Sequence, residues 1–208
     1  EVLMPYLLRV VVFSLCTATF PALAQLQIEI TRGVDNPTPI AVVPFGWSGS
    51  GASPEDVARI IDSDLARSGQ FSPVSRRDML SYPSRGSELY FRDCRAINSD
   101  YVLIGRYELA AAGNLKLSWQ LFDSARELSV DDGAVMGTAS EVRMLAHKIA
   151  DEVYETLTGI PGAFATRLLY VSVTRNPAGK DFYRLTIADS DGSRPIVLLE
   201  SREPILGP

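Results

Sequence analysis

Residues 40–74 read IAVVPFGWSGSGASPEDVARIIDSDLARSGQFSPV, and this stretch decides the fold. Ile40-Ala41-Val42-Val43 is an unbroken apolar run, the pattern of a strand covered on both faces. Pro44-Phe45-Gly46-Trp47 ends it, and Ser48-Gly49-Ser50-Gly51 makes a loop. Ser53 then reads as an N-cap, with Pro54 at the first helical position and Asp56 where a capping-box acid sits. Val57, Ile60, Ile61 and Leu65 recur at helical spacing, so the helix has one buried stripe. Gly69 suits a left-handed stop, and Phe71 to Val74 begins the next extended segment. The stretch is a β-α-β unit.

Upstream of it, Arg9 supplies a positive charge and Val10 to Leu15 a short apolar core. Ala22-Leu23-Ala24 then forms a small-x-small cleavage site before Gln25. This is the grammar of a secretory signal peptide over residues 1–24, too short for a comfortable membrane span. The expectation is an exported protein that does not span a membrane after cleavage. Glu1 stands where a start methionine belongs, which makes Met4 a candidate start. Leu15 before Cys16 is too bulky for a lipobox, so Cys16 is an ordinary signal-peptide residue. The remaining Cys94 has no second thiol for a disulfide and no partners for a zinc site, and Phe91 and Ile97 beside it point to a buried small apolar residue.

From Gln25, the residues Leu26, Ile28 and Ile30 alternate with Gln27, Glu29 and Thr31, a strand with one wet face. Arg32 to Pro37 breaks it from the β-α-β unit. Such a strand either pairs within its own chain, which periodicity alone favours, or adds to the sheet edge of another protein.

Downstream, Ser75 to Gly86 is polar and turn-rich, and Ser87 to Asn98 reads as a short amphipathic helix. Asp100 to Leu109 and Leu115 to Phe122 form a hairpin about Gly113-Asn114. In the second strand Leu115, Leu117, Trp119 and Leu121 alternate with Lys116, Ser118, Gln120 and Phe122. Asp131-Asp132-Gly133 reads as a turn. Ser140 reads as the cap of a long helix striped by Val142, Leu145, Ala146, Ile149, Ala150, Val153, Tyr154 and Leu157, and Gly159 as its stop. After Ile160-Pro161-Gly162-Ala163 the pattern becomes strands only, at Leu168 to Val173, Phe182 to Ile187 and Ile196 to Leu199. A three-strand meander is not stable alone, so it is expected to be poorly held here.

The chain of 208 residues has 46% hydrophobic residues and a formal net charge of −5, which supports a core and gives no electrostatic footprint for nucleic acid. The Gly49–Pro54 loop lacks both the third glycine of a dinucleotide fingerprint and the lysine of a P-loop. Neither Ser48 nor Ser50 has the flanking glycines of a nucleophile elbow. His147, the single histidine, falls just off the stripe of the long helix and reads as solvated. The pairs Asp62/Asp64 and Asp131/Asp132 read as solvated acids. Asp189 with Asp191-Gly192 reads as a hairpin turn, since the other calcium-loop ligands are missing. No catalytic, cofactor or metal residue is expected.

The combination and order of several motifs resemble the TolB family. They are Gly33-Val34-Asp35, Pro39-Ile40-Ala41-Val42-Val43-Pro44-Phe45, Pro54-Glu55-Asp56, Asp64-Leu65 and Ser68-Gly69-Gln70-Phe71. Ala150-Asp151-Glu152-Val153-Tyr154-Glu155, Leu157-Thr158-Gly159-Ile160-Pro161-Gly162-Ala163-Phe164, Thr166-Arg167 and Tyr170-Val171 continue the match.

The resemblance implies an α/β fold, in which a mixed sheet carrying two or three helices precedes the first strands of a truncated β-propeller. It divides the chain into a signal peptide (1–24), a partner-binding segment (25–34), an α/β domain (35–160) and a linker with the start of the propeller (161–208). It implies a non-catalytic periplasmic adaptor of the Tol-Pal system, linking inner-membrane TolA to outer-membrane Pal. The implied roles are envelope integrity, outer-membrane invagination in cell division and protein import. TolA's C-terminal domain would be bound by Gln25, Leu26, Gln27, Ile28, Glu29, Ile30, Thr31 and Arg32, and Pal by the propeller. The alternative is an exported nucleotide-binding or hydrolytic α/β domain using the Gly49–Pro54 loop.

Overall fold

The computed structural model describes residues 36–49, 51–110, 113–176 and 181–206. The expected signal peptide and the Gln25–Arg32 segment lie outside the described residues.

Strand β1 (Thr38–Val42) is an inner strand of the main sheet. It pairs in parallel with β3 (Phe71–Pro73) on one side and with β4 (Tyr101–Leu109) on the other. The two-residue β2 (Gly46–Trp47) also runs parallel to β4. Two antiparallel strands, β5 (Leu115–Asp123) and β6 (Leu128–Gly137), complete the order β3-β1-β4-β5-β6. The sheet is therefore mixed, and the β-α-β unit read from residues 40–74 is its parallel half.

Side chains alternate across the pleat, so the apolar run of β1 supplies two cores. Ile40 and Val42 face one side with Leu103, Leu117, Trp119 and Leu121. There they meet helix α1 (Val57–Arg67) and the long helix α3 (Val142–Thr158). Ala41 and Val43 face the other side with Val102, Ile104, Met79 and Cys94, beneath the short helix α2 (Phe91–Ala96). Cys94 is a buried small apolar residue, as its neighbours imply. Phe122 is not on a wet face. It is buried in this second core against Phe91, with ring centroids 5.9 Å apart, because α2 covers that end of β5. The helix expected over Ser87 to Asn98 is shorter, a 3-10 turn at Gly86–Glu88 followed by α2.

Three local readings are corrected by backbone chemistry. Asp56, not Ser53, caps α1, its carboxylate accepting from Arg59 N–H at 3.1 Å. Asp131-Asp132-Gly133 lies inside β6. The chain reverses at residues 124–127, where the Asp123 carboxylate accepts from the N–H groups of Ala125 and Arg126 and Glu127 takes a φ of 57°. Gly133 is needed for packing rather than turning, since a Cβ there would sit 2.9 Å from the Trp119 indole opposite. Thr138, not Ser140, caps the 3-10 turn that opens onto α3. It forms a capping box in which the Glu141 carboxylate accepts from Thr138 N–H at 2.8 Å. Thr138→Ala removes one side of that box and is expected to lower stability by about 1 kcal/mol in urea unfolding. Gly69 and Gly159 hold the left-handed conformations read for the helix stops.

After α3, β7 (Arg167–Thr174), β8 (Phe182–Asp189) and β9 (Ile196–Ser201) form a separate antiparallel sheet in the order β7-β8-β9. Its outer strands leave Leu168, Tyr170, Ile196 and Leu198 exposed. The connection to α3 is pinned, because the Asp151 carboxylate accepts from the N–H groups of Phe164 and Ala165 at 2.6 and 3.0 Å. Phe164 stacks edge-on against Tyr154 with centroids 5.6 Å apart. The meander is thus fastened at its root, which chain periodicity did not suggest.

Candidate functional site

The polar residues of the fold converge where α1, α3 and the β8–β9 turn meet. Arg143 and His147 are four apart on α3 and share one face. Asp64 comes from the inner face of α1, Asp189 from the end of β8, and Asp191 from the turn after it. His147 is 2% exposed and Asp64 is fully buried, so the expectation that both are solvated is overturned. They sit at the edge of the apolar stripes, where α1 packs on α3 and excludes water. Each then needs a partner, because an unpaired buried ionic group is costly.

His147 Nδ1 lies 2.5 Å from Asp64 Oδ2, and Arg67 Nη2 donates to Asp64 Oδ1 at 2.7 Å. His147 Nε2 is buried with no hydrogen-bond partner. Arg143 bridges three acids. Its Nη1 donates to Glu55 at 3.2 Å, its Nη2 donates to Asp191 and to Ser193 Oγ, and its Nε lies 3.8 Å from Asp189 Oδ2. Arg194 Nε donates to Asp189 Oδ2 at 2.7 Å. Burial pushes the Asp191 carboxyl up, but the Ser193 N–H and the Arg143 guanidinium outweigh it and hold it below the usual range. Burial likewise pushes Arg143 down, and Asp191 with Glu55 outweigh it in the other direction. Asp189 and Asp191 do form a turn, as read, yet it is a turn whose carboxylates point inward. This cluster is the cross-link between the α/β domain and the meander. The i, i+4 spacing of Arg143 and His147 was its one trace in the sequence.

The Gly49–Pro54 loop is shaped by Trp47. The indole Nε1 donates to Gly51 O at 3.0 Å, and a Cβ at Gly49 would lie 2.0 Å from the indole ring. Helix α1 begins at Val57, so the loop glycines are well short of its N-terminal amides. Those amides are capped by Asp56, itself held by Arg76 in two hydrogen bonds of 2.6 and 2.8 Å. Ser50 lies outside the described residues.

Near this cap, burial raises the Asp62 carboxyl to about 6, against the pull of Arg76. The folded value is above the unfolded one of about 3.9. Asp62 therefore contributes stability that is fully present below about pH 4 and lost as pH rises through about 6. Asp62→Asn is expected to match the parent's melting temperature near pH 4 and to exceed it near pH 7. Parallel pH profiles that never diverge would contradict this.

The fold and its cluster define a class, an α/β domain on a mixed sheet joined by part-buried ion pairs to an antiparallel meander. Residues 26–130 match the TolB amino-terminal domain, half of the chain, and the chain belongs to that family. Tol-Pal system protein TolB of Pseudomonas fluorescens (strain Pf0-1) is 46% identical over 193 residues, covering 93% of this chain and 44% of that protein. The protein of the same description in Pseudomonas aeruginosa is 42% identical over 205 residues, covering 99% of this chain and 47% of that one. The crystal structure of TolB from Acinetobacter baumannii superposes with a TM-score of 0.67 at 32% identity, over 85% of this chain and 42% of that chain. The chain spans less than half the length of these relatives.

Proposed function

We propose that this chain is the N-terminal part of a non-catalytic periplasmic adaptor of the Tol-Pal system. The observation that carries the reading is the alignment of nearly the whole chain with proteins described as Tol-Pal system protein TolB. On this reading residues 1–24 direct export, and 25–34 bind the C-terminal domain of TolA through Gln25 to Arg32. Residues 35–160 are the α/β domain, and 161–208 are a linker and the first strands of a β-propeller whose remainder binds Pal. The adaptor would couple the two membranes for envelope integrity, for outer-membrane invagination in division and for protein import. No helix among the described residues is long and apolar enough to cross a membrane, which fits a periplasmic location.

The second reading, nucleotide binding at the Gly49–Pro54 loop, is disfavoured by the carboxylate of Asp56 at the start of α1, where a phosphate would need free amides. Titrating the chain with TolA's C-terminal domain tests the first reading. Saturable binding that disappears when residues 25–32 are deleted is expected. Binding that is absent, or indifferent to the deletion, would overturn it.

A further inference from the structure

The ionic cluster contains one nitrogen that its structural role does not use, His147 Nε2, beside two carboxylates that the arginines hold. One ring nitrogen of His147 and one carboxylate oxygen each of Asp189 and Asp191 lie within 4.8 Å of one another. Asp64 occupies Nδ1 of the ring, which leaves Nε2 as the nitrogen with a lone pair to give. An imidazole that donates Nδ1–H to a buried carboxylate while its Nε2 stays open is the arrangement found behind metal-ligating histidines. The acceptor fixes the tautomer and holds the ring plane. His147 and Asp189 are both more than nine-tenths buried, so neither is a casual surface donor.

We propose that His147, Asp189 and Asp191 form a binding site for a divalent transition-metal ion of the zinc class, with Asp64 as the positioning residue behind His147. One nitrogen and two carboxylate oxygens suit such an ion, with water in the remaining position. Two carboxylates neutralise its charge. The cations now beside them are Arg143 on Asp191 and Arg194 on Asp189, and Arg143 has somewhere to go. Its Nη1 already donates to Glu55, and it borders an open cavity of about 390 Å³ that Asp191 also lines. That cavity is the entry path. Ligand atoms around a tetrahedral zinc ion are about 3.4 Å apart, so the β8–β9 turn draws in by up to about 1.4 Å from the present spread of 4.8 Å as the guanidinium leaves. Binding would replace an arginine clamp between domain and meander with a metal clamp at the same turn. This site is independent of the TolA reading, which rests on residues 25–32.

His147 is the chain's one histidine, so nitrogen-15 correlation spectra of its imidazole report on this site alone. Adding zinc chloride to the whole chain is expected to shift Nε2 saturably while Nδ1 stays protonated. Asp191→Asn is expected to weaken that binding by at least about 10-fold. Its amide spectrum shows whether the fold is kept, and Asp189→Asn replaces it if not. An imidazole that excess zinc leaves unmoved, or zinc affinity within a few-fold of the parent in the folded variant, would overturn the site.

Discussion

Arg143→Ala is expected to lower stability by about 2–3 kcal/mol, somewhat less than the cost of breaking a fully buried ion pair from one side. Arg143 is 18% exposed at its side chain and serves three acids from two parts of the fold. Its removal leaves Asp191 with only the Ser193 N–H and hydroxyl, and Asp189 with Arg194 alone. The loss should concentrate at the β8–β9 turn, since the main core on α1 and α3 keeps all its apolar contacts. Amide exchange should therefore quicken at residues 189–193 far more than in β1 or β4, alongside a fall in urea midpoint. Arg143→Lys keeps the charge without the fork and should fall between. A variant within about 0.5 kcal/mol of the parent, the range of an ordinary surface change, would show that the turn is held by other means.

Asp64→Ala is the second large effect, about 1–3 kcal/mol, the cost of leaving a buried donor without its charged acceptor. The carboxylate is fully buried between α1 and α3 and satisfies both His147 and Arg67. Truncation leaves His147 Nδ1 without its acceptor and opens space in the helix–helix contact. Asp64→Asn keeps an oxygen within reach of Nδ1 and should cost clearly less. A double-mutant cycle of Asp64→Ala with His147→Ala should give a coupling of about 1–3 kcal/mol, the mark of residues in direct contact. Simple additivity would contradict the pairing.

The difference between what was legible in the chain and what was not lies in sequence distance. The parallel β-α-β half could be read because its signals are local. The apolar run of Ile40 to Val43, the stripe from Val57 to Leu65 and the stop at Gly69 each speak for their own few residues. The hairpin of β4 and β5 was equally plain. Phe122 could not be placed in a core, because alternation assigns a side chain to a face without saying whether that face is covered, and α2 covers it. The turn misread at Asp131-Asp132-Gly133 followed composition, whereas Gly133 answers to Trp119 on the neighbouring strand. The ionic cluster was the least legible. Asp64 and His147 are 83 residues apart, and Arg143 and Asp191 are 48 apart. On its own helix His147 sits beside the stripe, where a solvated residue is the ordinary expectation. Only the packing of α1 and the arrival of the β8–β9 turn bury it.

The adaptor reading turns on residues 25–32, where Leu26, Ile28 and Ile30 alternate in the sequence with polar residues, and Arg32 to Pro37 intervene before β1. An extended segment of this kind can lend its backbone to a partner's sheet edge while alternate side chains set specificity, and its ordering on binding keeps affinity modest. Ile28→Pro removes one backbone donor in the middle of that segment. The deciding measurement is a calorimetric titration of the Ile28→Pro chain with TolA's C-terminal domain, run beside the parent and beside thermal melts of both. The account predicts that the variant loses binding and melts like the parent. Undiminished binding by the variant would contradict it, and a collapsed melting transition would assign residues 25–32 to the fold instead of to a partner.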